Sequence, residues 1–516
     1  MTKVEAIKKK LARYRDEDFL NNFFLHFQNL RDSQARVMAN FPWCCFLALK
    51  WKYETHSKNN EPMAYVEFIK LINRIYDLQV EASNLIKGET LFLDLRRMMV
   101  NQLLYQATDK FVLNSLVRQY IWYCDNSNSY YSDEFKKSTG LELKNYYKMA
   151  FYFHMLFMRN RIFESELIPA KIFIVHLVPL FGVEQVKKFI EFSAIKPLAL
   201  HEFISQYKYN KIITLEYFED TPMVYKPLIH DDRGMITLCK SITKNGFISL
   251  VPEFFKSRYR EQYKVHFGKT LEKYVSSILD INSYDYLSES YIKTVYKKHK
   301  IQSKSVDFII KQNDGCIFVD CKAIEPTIFI KASNNTKILK EKLESSFIKG
   351  IFQGQECACS LNKINGEINF NNKTMIIVVH RDHYISNAKE VEHLIHPNLE
   401  DEIVSNLGEV YIPLDRIYYM TIDEFEYLLS GCRAYDLTIN QFMDVCSRKD
   451  SQLETKKANV SLHMSEIFVN GVADLDTIIS AQEEMINEIT NVIMEGCSVW
   501  GGKLEEYINI KNYILQ

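Results

Sequence analysis

The sequence predicts a multidomain α+β protein: a large N-terminal all-helical region, followed by an α/β domain with a central mixed sheet. Three observations carry this. Gly (16) and Pro (11) are scarce among 516 residues, while Leu, Ile, Lys and Glu are plentiful, so turn formers are few and helix formers many. Apolar residues recur at helical spacing as far as about residue 205. Short β-type runs with turn signals begin near residue 210. At about 100–200 residues per domain, the length allows two to four domains. A composition 47% hydrophobic and 25% charged excludes a collagen, a mostly disordered chain and a disulfide miniprotein.

The elements follow in chain order. Asp16 and Asp18 precede Phe19, Leu20, Phe23 and Phe24, an acidic helix start. Glu61-Pro62 opens a second helical segment, with Val66, Ile69, Ile72, Ile75 and Leu78 as its apolar stripe. No fixed-length repeat is present. Ile212–Leu215 and Met235–Leu238 are short β-type runs separated by the turn-rich Asp231-Asp232-Arg233-Gly234. A long helix is expected from about Pro252 to Leu279. Val306–Ile310 and Cys316–Cys321 read as two strands joined by the hairpin signal Asn313-Asp314-Gly315. A helical segment covers about Lys337–Leu361. Met375–His380 reads as a buried strand, and Ile417–Thr421 as another, with Asp423-Glu424 starting the next helix. The divisions implied are a helical sensor or assembly domain at 1–205, a β-containing connector at 206–254, the α/β domain at 255–440 and an acidic helical tail at 441–516.

Eleven cysteines without framework spacing point to reduced thiols in a reducing cytoplasm. Cys357-x-Cys359 has no second pair to complete a zinc site. The N-terminus lacks an apolar signal core, and the longest apolar stretch, Ile172–Val183, is too short to span a bilayer. The expectation is a cytoplasmic protein without a membrane partner.

The chemistry concentrates in the hairpin. Asp307 lies early in its first strand, and Asp320 and Lys322 lie two apart at the end of its second. Residues at i and i+2 on a strand share a face, so Asp320 and Lys322 stand together while Val319 and Cys321 point into packing. Taken alone, such a pair is an ion pair at a strand end. Beside Asp307 and a divalent cation it suits phosphodiester hydrolysis. Carboxylates hold Mg²⁺ through hard oxygens, the metal activates water and neutralises phosphate charge, and an ammonium orients the water or stabilises the pentavalent phosphorus.

This stretch resembles the PD-(D/E)xK, restriction-endonuclease-like nuclease superfamily, whose pattern is an acid on one strand and a (D/E)-x-K triplet on the next. Here these are Asp307 and Asp320-Cys321-Lys322, preceded by Val306 where the pattern has Pro. The superfamily's preceding helix, often carrying a Glu near the metal, is similar to Gly268-x-x-x-Glu272-x-Tyr274-Val275, which nominates Glu272. Its following helix nominates Lys349 and Gln353. The resemblance covers about 255–430. It implies an endonuclease with Asp307, Asp320, Lys322 and Glu272 as catalytic residues. Asp307, Asp320 and Glu272 would bind Mg²⁺ or Mn²⁺, with the carbonyl of Cys321 as a further donor.

Three other signals carry less. Gly268-Lys269-Thr270 imitates the end of a P-loop, but Tyr263 stands where the motif needs Gly and a helix is expected before it. Arg260 and His266 have the spacing of HEPN ribonucleases. His380-Arg381-Asp382-His383 reads as a solvated loop cluster.

The formal net charge of −1 hides opposite segments. Residues 256–349 carry 18 Lys and Arg against 11 Asp and Glu, and residues 385–516 carry 9 against 23. Lys293, Lys297, Lys298, Lys300 and Lys304, with Tyr291 and Tyr296 interleaved, are candidate phosphate and base contacts alongside Lys349 and Gln353. The function expected is Mg-dependent DNA cleavage, in a setting such as bacterial restriction or anti-phage defence. The N-terminal region would assemble a homo-oligomer or meet a regulatory partner. The alternative is a catalytically inactive nuclease fold that binds nucleic acid or serves as a scaffold subunit.

Overall fold

The computed structural model describes residues 2–30, 33–55, 60–83, 91–106, 108–125, 129–159, 165–208, 213–325, 327–364 and 372–516. The chain forms two units. One comprises Met1–Gly88, Arg97–Arg258 and Thr477–Gln516, the other Glu89–Arg96 and Tyr259–Asp476. Residues 441–476, read from the sequence as part of a separate tail, thus belong with the second unit. No helix among the described residues is long and apolar enough to cross a membrane.

The first unit is mainly helical. Acidic residues fill the first turn of the Asp16–Asn29 helix, whose buried face carries Phe19, Phe23 and Phe27. The Tyr65–Tyr76 helix begins three residues after Pro62 and buries Phe68, Leu71, Ile72 and Ile75, leaving Val66 on the solvent side. A strict three-residue spacing drifts around a helix of 3.6 residues per turn, so the expected stripe slides off the buried face.

The region expected to be all-helical also supplies two strands. β1 (Leu167–Pro169) and β2 (Ala194–Ile195) join β3 (Leu228–His230) and β4 (Gly234–Thr237) in a four-stranded sheet of order β1-β4-β3-β2. Met235–Thr237 is a strand as expected. Ile213–Glu216, expected to be extended, is a short helix beside the Gln79–Ser83 helix; Ile212 lies outside the described residues. Preference for strand reflects packing on a pleated surface, and this segment has a helical neighbour instead.

The second unit is built on a five-stranded mixed sheet. Its strands are β5 (Tyr286–Ser288), β6 (Phe308–Gln312), β7 (Gly315–Lys322), β8 (Lys373–Val379) and β9 (Ile417–Thr421), side by side in that order. β5, β6 and β7 pair antiparallel, and β7, β8 and β9 pair parallel. Gly315 closes the β6–β7 turn at φ 152°, where a Cβ would overlap the carbonyl of Asn372; only glycine fits there. One sheet face buries Ile309, Phe318, Met375, Ile377 and Tyr419 against Leu343, Phe347, Ile348 and Ile351.

The helix expected over 252–279 is longer, Lys240–Ile281, and its backbone breaks at Arg260 (φ 38°, ψ −109°). Arg260 is thus the break itself, with His266 six residues beyond it in the following helical stretch, and Gly268 sits inside a helix. The segment expected as one helix over 337–361 has three parts: α-helix Thr336–Leu343, a wide π-turn Glu344–Ile348, and α-helix Lys349–Asn362.

Candidate active site

The register of β6 against β7 pairs Phe308 with Val319 and Ile309 with Phe318. One step further, Asp307 falls opposite Asp320. Facing residues of an antiparallel pair project to the same side, so Asp307, Asp320 and Lys322 share a face. It is the face that buries Ile309 and Phe318, and the acids stand where this apolar surface ends. Asp320 is 1% exposed.

Short contacts tie the three together. Lys322 Nζ lies 2.6 Å from Asp320 Oδ2 and donates to Gln353 Oε1 at 3.2 Å. Gln353 Nε2 donates to the carbonyl of Ser305 at 2.7 Å. The backbone N–H of Cys321 donates to Asp307 Oδ2 at 2.6 Å, which fastens Asp307 to the strand carrying its partners.

Two glycines let the Lys349–Asn362 helix come down on this end of the sheet. A Cβ at Gly350 would stand 3.0 Å from Ile377 Cδ1 and 3.4 Å from Asp320 Oδ2, and one at Gly354 would overlap Met375 Sδ. Their four-residue spacing puts both on one helix face, and this close approach brings Gln353 within reach of Lys322. Gly350 and Gly354 were not singled out from the sequence, although that spacing inside a helix is a readable sign of close packing.

The acids are held away from their ordinary ionisation. Burial, then the negative charges of Asp307 and Glu289, pushes Glu272 up to about 7, against the pull of Lys322 and Lys269. Burial also raises Asp320; Lys322 opposes this, and Asp307 and Glu272 add to it. Asp307 is raised by burial and by Glu289, against the Cys321 N–H and Lys322. Clustered acids whose anions are disfavoured by burial and by one another are a mark of functional sites.

Among the described residues, no three His, Cys, Asp or Glu side chains stand close enough to form a ready-made metal-ligand group. The donor chemistry nonetheless fits a divalent cation. Asp307, Asp320 and Glu272 offer hard oxygens, and Asp320 Oδ2 is buried with the Lys322 ammonium 2.6 Å away. Here Lys322 supplies the compensating positive charge.

The remaining candidates divide. Lys297, Lys298 and Lys300 are exposed. Lys293 pairs with Glu289 at 2.7 Å, and Lys304 with Glu356 at 2.7 Å. Lys349 is exposed on the helix that carries Gln353. Tyr291 is exposed, but Tyr296 is buried and donates to Cys357 Sγ, so it has no face for a base. The His380–His383 segment is not a solvated cluster. His380 is buried and lies 2.6 Å from Glu325. His383 is buried, and its carbonyl accepts two hydrogen bonds from the buried Arg96. Cys357 and Cys359 are buried free thiols.

Compared with known family models, curated proteins and solved structures, the chain matches none.

Proposed function

We propose that this protein is a metal-dependent nuclease that hydrolyses phosphodiester bonds, with DNA as its substrate. The observation that carries the reading is the cluster itself: Asp307, Asp320 and Lys322 on one face of the β6–β7 hairpin, with Gln353 holding the lysine and Glu272 linked to them electrostatically. Asp307 and Asp320, joined by Glu272, are the residues that would hold Mg²⁺. Such an ion lowers the pKa of bound water and neutralises charge developing on the phosphate.

The protein's own groups do the rest. Lys322, fixed between Asp320 and Gln353, orients the attacking water and faces the charge that builds on the phosphoryl oxygens. Glu272, coupled electrostatically to Asp307, would complete the carboxylate set around the ion. Burial of Asp320 keeps the surrounding dielectric low, which strengthens these interactions. Water adds to phosphorus as the ester P–O bond breaks, leaving a phosphomonoester and a hydroxyl. The setting proposed is bacterial restriction or anti-phage defence, which rests on the family resemblance alone.

The test is cleavage of plasmid and single-stranded DNA by the full chain, with Mg²⁺ and with EDTA. EDTA-sensitive cleavage that Asp320→Asn and Lys322→Ala both abolish is expected; full activity in both variants would sink the assignment. A second reading, nucleic-acid binding on the same fold without hydrolysis, is favoured by the Lys322–Asp320 ion pair at 2.6 Å, in which the ammonium already neutralises an acid that would ligate the ion. Binding without any Mg²⁺-dependent cleavage would select it.

A further inference from the structure

The Lys349–Asn362 helix carries a second feature beside the one that meets Lys322. Gln353 turns to Lys322 and Ser305, while its neighbour Phe352 lines an open groove of about 470 Å³. Lys304, Glu344, Lys349, Glu356 and Asn406 line it too. The groove adjoins the catalytic cluster through the chain: Lys304 directly precedes Ser305, whose carbonyl Gln353 engages, and lies three residues before Asp307.

The lining has a specific chemistry. Phe352 is half-buried and packs on one side against the sheet core, which makes it a fixed aromatic surface. Lys349 is exposed and forms no ion pair with another described residue. Glu356 is met by Lys304, whose side chain is 50% exposed. Asn406 adds an amide, and Glu344 a second carboxylate. The volume lies in the range of about 300–1,000 Å³ that holds small ligands.

We propose that this groove takes one unpaired nucleotide of the substrate strand, its base stacked on Phe352 and its phosphate against Lys349. The proposal rests on the nuclease reading for the identity of the strand. An aromatic surface, a free ammonium and carboxylate acceptors together match a nucleotide, which offers a π-face, a phosphate and exocyclic amines. The base is unpaired because a duplex hides both of its faces in stacking. The substrate class that follows is single-stranded or locally opened nucleic acid.

The experiment uses the full chain carrying Asp320→Asn, which removes the catalytic acid and keeps the side-chain shape. Fluorescent single-stranded 12-mers of DNA and of RNA are titrated against it over a range of salt concentrations. Stacking is worth about 1–3 kcal/mol per base, so Phe352→Leu should weaken binding about tenfold with an unchanged salt slope, and Phe352→Tyr should restore it. Lys349→Glu should weaken binding and reduce the salt slope by about one. Preference for one strand type identifies the nucleic acid bound. The groove proposal is overturned if the Asp320→Asn chain binds neither oligonucleotide, or if Phe352→Leu and Lys349→Glu bind as their parent does. If these variants lose affinity while the unaltered chain never cleaves, the groove stands and hydrolysis is refuted. If the unaltered chain cleaves and the variants bind normally, hydrolysis stands and the groove falls.

Discussion

Lys322 is held to Ser305 through Gln353: Lys322 donates to Gln353 Oε1 at 3.2 Å, and Gln353 Nε2 donates to the Ser305 carbonyl at 2.7 Å. The glutamine orients the lysine and makes no claim on the acids. Gln353→Ala should reduce kcat about tenfold or more while KM changes little, since a loosened lysine costs alignment rather than binding. Steady-state kinetics with thermal melts checks this. A tenfold rise in KM at constant kcat would place Gln353 in substrate binding instead.

Among the described residues, Asp320 has one counter-charge, Lys322, at 2.6 Å. Lys322→Ala leaves a buried acid uncompensated, a change that costs about 3–5 kcal/mol when the acid stays ionised. Because Asp320 is already raised by burial, protonation relieves the penalty in acid. Denaturant unfolding of Lys322→Ala should show a large loss of stability at pH 8 and a smaller one at pH 5. Asp320→Asn, which removes the buried charge, should be close to neutral at both.

The pH dependence of the unaltered protein has a fixed sign. Glu272 is pushed from its ordinary 4.5 up to about 7, so the folded state holds that proton more tightly than the unfolded chain. The stability this contributes is complete below about 4.5 and is lost as pH rises toward 7. Asp307 and Asp320 are shifted the same way. The metal-free melting temperature should therefore fall between pH 4.5 and 7, and Glu272→Gln should flatten part of that fall.

A divalent cation that binds the ionised acids should reverse this loss. Mg²⁺ at a hundred times its Kd adds about 2.7 kcal/mol to a folded state that alone binds it. The rise in melting temperature at pH 8 should vanish with EDTA and in an Asp307→Asn, Asp320→Asn double variant. An equal rise in that double variant would remove these acids from the metal site.

The close helix–sheet approach predicts a steric penalty. Gly354→Ala places a methyl into Met375 Sδ, an overpacking that costs about 1–3 kcal/mol, and Met375→Ala should recover part of it. Gly350→Ala meets Ile377 and Asp320 less severely. It should lower cleavage more than stability, because it pushes the helix bearing Gln353 away from Lys322.

The hairpin was legible because its signals are local. Alternation placed Asp320 and Lys322 on one face, Asn313-Asp314-Gly315 marked the turn, and Gln353 followed on a helix of readable period. What the sequence hid depends on distant partners. β1 and β2 have three and two residues, too few for alternation to show. The burial of Tyr296, His380 and His383 comes from packing against other segments. The groove gathers residues 304, 344–356 and 406, which no window along the chain brings together.

The π-turn at Glu344–Ile348 sets the angular phase of the helix that carries Gln353. Leu339, Leu343, Phe347 and Ile351 are all fully buried and recur every fourth residue. On a regular α-helix each such step would slip about 40° around the axis, and the wide turn absorbs the slip. Removing one residue there would turn everything after it by about 100°, swinging Gln353 off Lys322 and Phe352 out of its groove. Between 344 and 348, chain length counts for more than side-chain identity, and a single-residue insertion or deletion would part Gln353 from Lys322 without altering Asp307, Asp320 or Lys322.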